Sequence, residues 1–293
     1  MRHGKYRFLV GAMTAPLLLY GIFVLSPYVQ AFYLAFTDWN GLTSEANPVG
    51  LANFVKLLSD PLFLAALRHN GLMLLVVPLA TIALALFFAA ATSSKGARGY
   101  RVVYFFPQLL SVAIIAVLWQ FVYTPNSGLL NGFLNAIGLG ALKRSWLAEP
   151  NLALWCVMAA LIWSAVGFYV VLFSAAMESI PGDILEAALI DGAGPMTTFR
   201  RITVPLIFES VQVAFVYLGI AALDGFALVQ IMTVGPGGPD NSTEVMGLGL
   251  WRNAFTYGKF GYASAMGVAM FFLTLSLAAL LLQVTRRERV ELA

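Results

Sequence analysis

The chain is poor in the residues that usually build soluble active sites. Its 293 residues include one cysteine and two histidines, and only 11% are Asp, Glu, Lys or Arg. A single thiol excludes an internal disulfide and a multi-cysteine metal centre. Cys156 lies inside an apolar run, where a thiol packs as a small hydrophobe. His3 is in the N-terminal tail and His69 at the edge of a run, far apart in sequence, so neither suggests a metal ligand. The apolar runs hold no His/Cys/Asp cluster and no Ser/His pair, which leaves a membrane-embedded enzyme without catalytic candidates. No Gly-x-x-x-x-Gly-Lys-Ser/Thr segment occurs, so the chain lacks a recognisable loop for cradling ATP phosphates.

What the chain has instead is apolar surface. It is 60% hydrophobic, with a mean hydropathy of +0.83, more than a water-soluble globule can bury. An all-α integral membrane protein follows. A bilayer core of about 30 Å needs about 20 apolar residues per helix. Six runs qualify: Phe8–Phe36, Gly71–Ala91, Val102–Thr124, Leu152–Met177, Pro205–Val234 and Tyr262–Thr285. Five are free of charged residues, and the fifth run carries Glu209 and Asp224. The first run follows a basic tail (Arg2, Lys5, Arg7) but is too long for a signal-peptide core and lacks a convincing cleavage site, so it reads as a membrane anchor starting inside. No linker or low-complexity tract divides the chain, and a single transmembrane domain over residues 1–293 is the simplest organisation.

Lys and Arg set the expected orientation. With the N-terminus cytoplasmic, Arg2, Lys5, Arg7, Lys95, Arg98, Arg101, Arg200, Arg201, Arg286, Arg287 and Arg289 fall inside, and Lys56, Arg68, Lys143, Arg144, Arg252 and Lys259 outside. Eleven of the 17 cations on the inner side place both termini in the cytoplasm. The outer segments are then about 37–70, 125–151 and 235–261, too short for a separate folded domain, and the inner ones 92–101 and 178–204. The net charge of +3 and pI near 9.0 reflect topology and anionic lipid, not a nucleic-acid partner.

The longer inner segment is the least membrane-like part of the chain. Pro181 suits a first helical turn, Asp183 and Glu186 place negative charge near the positive end of the helix dipole, and Gly192 with Gly194–Pro195 stops the helix. A short exposed helix over 181–191 is expected, with Leu185, Leu189 and Ile190 as an apolar ridge beside Ala187 and Ala188, whose small side chains allow another surface to approach. A second helical piece should run from Pro195 through Arg200 and Arg201 into the fifth run. Periodicity alone favours an interfacial tie between two spans, its arginines meeting lipid phosphates.

The spacing of Glu186, Ala187, Ala188, Gly192, Ile202 and Pro205 resembles the EAA loop of membrane subunits of binding-protein-dependent ABC importers, with Val204 where that family more often has Leu. "PVGLANFVKLLSDPLFLAAL" (Pro48–Leu67) resembles the Val-Gly-Leu-x-Asn-Phe segment of sugar-type permeases. "TVGPGGPDNST" (Thr233–Thr243) resembles their Thr-x-Gly-Gly-Pro turn, with two extra residues. The likeness covers nearly the whole chain. It is to the smaller six-span carbohydrate permeases, related to but smaller than the maltose permease.

The resemblance implies the type I ABC importer permease fold. It also implies a division of labour in the bacterial cytoplasmic membrane. A second, similar permease would complete the path. A dimer of ABC ATPases would bind ATP and Mg²⁺, each receiving one EAA helix, so this chain would need no cofactor of its own. An extracytoplasmic binding protein would deliver the sugar.

By analogy with the maltose permease, the sugar contacts map to "WSAVGFY" in the fourth span (Trp163, Ser164, Phe168, Tyr169) and to Asp224 and Gly225 in the fifth. A neutral sugar wants hydrogen-bonding groups and flat aromatic faces, and the absence of Lys or Arg from the middle of the spans disfavours anionic solutes. Each aromatic also fits lipid contact or helix packing, whereas an intramembrane acid usually faces a bundle interior or water. Glu209, one turn past Pro205, should lie near the inner interface and pair with Arg200, Arg201 or water, with no transport role. The alternative is an ion-coupled secondary transporter with Asp224 as the coupling acid.

Overall fold

The computed structural model describes residues 2–43, 45–92, 99–233, 235 and 237–284, with the side chains of 2–10, 101, 281, 282 and 284 outside the description. Among the described residues the structure is helical, and its one backbone bridge, Thr37 to Pro48, is isolated. Four helices are long and apolar enough to cross a membrane: α1 (Gly11–Leu34), α3 (Pro61–Ala91), α7 (Pro150–Glu178) and α13, which runs Phe260–Val284 and is apolar over Phe260–Leu280. Between them lie α2 (Ala52–Ser59), α6 (Leu129–Ala136), α8 (Gly182–Ile190) and α12 (Met246–Trp251).

The third and fifth runs, expected as single spans, are bent pairs. Val102–Leu109 (α4) meets Val112–Tyr123 (α5) at 106°, and Pro195–Leu206 (α9) meets Phe208–Leu223 (α10) at 70°. Counting each pair as one span restores six. The first bend follows Pro107, which removes a backbone donor. Leu110 is extended (ψ 144°), and Ser111 starts a new helix by accepting a hydrogen bond from the Ile114 N–H at 3.4 Å. The second bend follows a π-helical turn, Phe199–Thr203, just before Pro205. Proline's missing donor and bulky ring favour such a widened turn. The fifth run breaks again at Asp224 and Gly225 before α11 (Phe226–Met232).

The chain forms two compact units, residues 1–64 with 249–273 and residues 65–248 with 274–293. In the first, Phe32 packs edge-on against Phe271 and Phe272 at 5.7 and 5.9 Å. Gly261 lets the start of α13 lie directly on the Thr37 carbonyl, where a Cβ would collide. Asn53, from the Val-Gly-Leu-x-Asn-Phe segment, donates its amide to the Ala35 and Thr37 carbonyls at 2.9 and 2.8 Å and so covers the end of the first span. Tyr262 donates to Asp60 Oδ2 at 2.6 Å, and Lys56 lies 4.7 Å from the centre of its ring.

The second unit is built around α7, which buries Ala153, Val157, Ala160, Gly167, Val170 and Phe173 among others. In lipid, apolar side chains gain little by leaving the solvent, so small residues that allow backbones to approach carry the association. At Gly167 a Cβ would overlap the Tyr104 carbonyl, so α4 and α7 touch through main chain there.

Of the cations assigned inward, Lys95, Arg98, Arg286, Arg287 and Arg289 lie outside the described residues, as do the side chains of Arg2, Lys5, Arg7 and Arg101. In the turn at 233–243, Val234 and Pro236 are likewise outside, while Gly235, Gly237, Gly238, Asp240 and Asn241 all have positive φ.

Candidate functional site

Two of the three breaks in the second unit open onto one cavity of about 490 Å³. The α4–α5 bend contributes Gln108, Leu110 and Val112, and the α10–α11 break contributes Asp224, Gly225 and Phe226. The wall between them is α7, with Leu161, Ser164, Phe168 and Tyr169. Irregular backbone at membrane depth leaves polar groups without helical partners, and it is tolerated where it lines a cavity or is covered by protein.

Of the residues that the resemblance singled out, Ser164, Phe168, Tyr169, Asp224 and Gly225 line this one cavity. Trp163 does not join them. It packs edge-on against Trp119 at 5.7 Å, because its position on α7 is rotated from the stripe that meets the cavity. Phe168 meets Tyr169 edge-on at 5.2 Å, and the Ser164 hydroxyl donates to Leu161 O at 2.8 Å. Asp224 follows α10 with φ −92° and ψ 20°, and its side chain is exposed in the single chain. Its neighbour Gly225 is buried, and a Cβ there would come within 2.8 Å of the Met73 terminal methyl.

Gln108 escaped the sequence reading. The signal available was Pro107 beside it, in the middle of an apolar run, which marks both a break and the polar side chain next to it. His69 and Cys156 take structural roles. The imidazole Nδ1 lies 2.8 Å from the Glu244 carbonyl, and the thiol is buried with the Trp146 carbonyl as acceptor at 3.7 Å. Among the described residues no group of three or more His, Cys, Asp or Glu could hold a metal ion.

The inner segment folds as a compact helical hook. Helix α8 starts one residue later than expected, with Pro181 extended ahead of it (ψ 133°) and Asp183 in its first turn. It ends on Gly192 at φ +78°. Gly192 N–H donates to Leu189 O at 3.0 Å and Ala193 N–H to Ala188 O at 2.9 Å, the paired bonds of a Schellman C-cap. Glu186 and Ala187 are exposed. Ala188 is not: it is 5% exposed and turned into its own chain, so only Ala187 of the pair is open to another surface. Leu189 and Ile190 stand 66% and 87% exposed at the tip. Ile202 lies half-buried in the π-helical turn, and Pro205 is exposed just beyond it. Glu209 heads α10, exposed, on the rim of a separate 220 Å³ hollow with Ser179 and Ser210.

In the second unit two broken spans meet at one largely apolar cavity carrying the polar side chains of Gln108, Ser164, Tyr169 and Asp224, and a capped helical hook lies between the fourth and fifth spans, an arrangement that suits a transport subunit. Residues 72–290 match the family described as binding-protein-dependent transport system inner membrane component, and the chain belongs to that family. It is therefore a permease subunit of ABC importers, a multi-pass membrane protein and not an enzyme. It is 44% identical to the diacetylchitobiose uptake system permease protein NgcF of Streptomyces coelicolor, over 96% of this chain and 83% of that protein. It is 31% identical to the multiple sugar-binding transport system permease protein MsmF of Streptococcus mutans, over 95% of each. The fold matches a bacterial alginate ABC transporter solved with an alginate pentasaccharide-bound periplasmic protein, with a TM-score of 0.82 and 24% identity over 98% of this chain and 96% of that one. Family membership gives the ion-coupled alternative no support.

Proposed function

We propose that this chain, acting as a single transmembrane domain, forms with a second homologous permease the path for a neutral sugar or oligosaccharide. The observation that carries the reading is the convergence of two broken spans on one cavity. Its lining offers a carboxylate, an amide, two hydroxyl groups and the faces of Phe168 and Phe226, and includes no Lys or Arg. Such a surface can exchange hydrogen bonds with sugar hydroxyls and stack on sugar rings, and it offers a phosphate or carboxylate no cationic side chain. The names of NgcF and MsmF point to the same substrate class, and diacetylchitobiose is the first sugar to test.

In this reading both termini and the 178–204 segment are cytoplasmic, in a bacterial inner membrane. Helix α8 docks through Leu189 and Ile190 on an ABC ATPase, one of a dimer that holds ATP and Mg²⁺, and the permease itself binds no cofactor. An extracytoplasmic binding protein delivers sugar to the outer segments. The exposed apolar sides of α1 face lipid or the second permease; its most apolar stretch has no buried residue.

The test is to co-express the tagged chain with its neighbouring transport genes, purify gently and reconstitute in proteoliposomes. Co-purification of an ATPase and a second permease, with diacetylchitobiose uptake that needs ATP and binding protein, is expected. Uptake driven by an ion gradient without ATP would refute the reading.

A further inference from the structure

Because the fifth span is broken, it has two helix C-termini inside the second unit, one at the break and one at its own end, and each leaves carbonyls without helical donors. In a membrane such groups must find partners within the protein. At the end of α10, Asn70 Nδ2 of α3 donates to Ala222 O and Leu223 O at 3.5 and 3.2 Å. At the end of α11, Gln120 Nε2 of α5 donates to Ile231 O and Met232 O at 2.6 and 3.4 Å. Asn70 is 0% exposed, and its Oδ1 accepts from the Met246 N–H at 2.9 Å, the first residue of α12. One amide thus satisfies orphaned groups at a helix end and a helix start, so neither face of it is replaceable by an apolar side chain.

We infer that Asn70 and Gln120 are positioning residues, amides lent by two neighbouring spans that cap both pieces of the broken fifth span and thereby set where Asp224 stands in the cavity. Neither touches the cavity: the lining includes neither residue. Their effect on transport therefore passes through the backbone they hold, the stretch between Ala222 and Met232 and, for Asn70, also the start of α12. The inference rests on the reading of the cavity as the sugar path only for its transport consequence, since the capping itself is a property of this chain.

The experiment uses the reconstituted complex carrying Asn70→Leu, Gln120→Leu or both. Leucine keeps the approximate bulk and removes the donor. Backbone hydrogen exchange over 224–232 should speed up by about tenfold in each single variant, the effect of one buried carbonyl pair left bare. The KM for diacetylchitobiose uptake should rise by a similar factor, while basal ATP hydrolysis and subunit co-purification stay at the parent level. A residue that only held the fold together would lower the yield of complex and leave KM alone. Because both amides act on one short segment, the double variant should show a combined effect on KM that departs from the product of the singles. Should Asn70→Leu fail to assemble, Asn70→Ser, which retains a small hydroxyl donor, takes its place and should give the same pattern in weaker form. Unchanged exchange over 224–232 in the assembled variants would overturn the capping role whatever the sugar does. Faster exchange with unchanged KM would overturn the positioning role and remove the break from the sugar path.

Discussion

Gly192 offers a test of the coupling hook in which the physical cost can be isolated. Its φ is +78°, and a Cβ built on it meets nothing within 4 Å. A substitution there creates no clash with neighbours, so any cost comes from the backbone of residue 192 itself. For an L-residue other than Gly or Asn that cost is about 1–2 kcal/mol, with β-branched residues at the upper end. Such an energy shifts a local equilibrium by about 5- to 30-fold. The conformation that gains is the ordinary right-handed one. Adopting it would give up the Ala193-to-Ala188 and Gly192-to-Leu189 bonds and carry the helix past its stop. The direction in which Leu189 and Ile190 point would then no longer be fixed against Pro195. Gly192→Val should therefore insert normally and lose most sugar-stimulated ATP hydrolysis. Gly192→Ala should lose less. Gly192→Asn should stay near the parent, because Asn adopts positive φ readily. The ranking is read from ATPase activity of the reconstituted complex with and without binding protein and sugar, alongside the amount of ATPase that co-purifies. Val and Asn behaving alike would show that the positive-φ conformation of residue 192 does not govern the hook. Normal, ATP-dependent uptake by Gly192→Val would make the hook a passive connector.

Three further outcomes are expected. In a Cys156→Ser background, a cysteine at exposed Lys143 should react with an impermeant thiol reagent from outside and one at exposed Thr197 should not, and the reverse pattern would invert the proposed topology. Asp224→Asn should retain part of the uptake rate and Asp224→Leu should lose it with the complex still assembled, since only the first keeps hydrogen-bonding groups in the cavity; equal, near-normal uptake by both would take Asp224 out of the path. Gly167→Ala should lower the melting temperature of the purified complex, because its methyl must displace the Tyr104 carbonyl at a cost of about 1–3 kcal/mol, and an unchanged melting temperature would show that the two helices do not touch there.

The spans were legible in the sequence because lipid imposes one crude requirement, about 20 apolar residues per crossing, and Leu152–Met177 or Gly71–Ala91 meet it without interruption. The hook was legible for a different reason. Asp183, Gly192 and Gly194–Pro195 act locally, each biasing the backbone within a turn of itself, so their meaning survives without knowledge of the fold. Neither kind of signal reveals which side of α7 meets the cavity. Trp163 and Phe168 are equally aromatic, and it is tertiary packing, such as that of α4 against Gly167, that brings Phe168 in and leaves Trp163 against Trp119.

The break in the fifth span was hidden for a deeper reason. An apolar run looks the same whether its backbone bonds close within one helix or are completed by side chains from elsewhere, because the completing residues lie far away in sequence. Asn70 is 152 residues before the Ala222 carbonyl it caps, and Gln120 is 111 before that of Ile231. Read alone, Gln120 is a lone amide in an apolar run, Asn70 follows Arg68 and His69 at the edge of one, and Asp224 is an acid at an improbable depth. Together they explain one another. The acid can stand exposed because the helix ends beside it, and the helix can end there because an amide from another span takes up its last carbonyls. Isolated polar residues within apolar runs are thus the trace that a broken span leaves in sequence, and their partners have to be sought in pairs across spans.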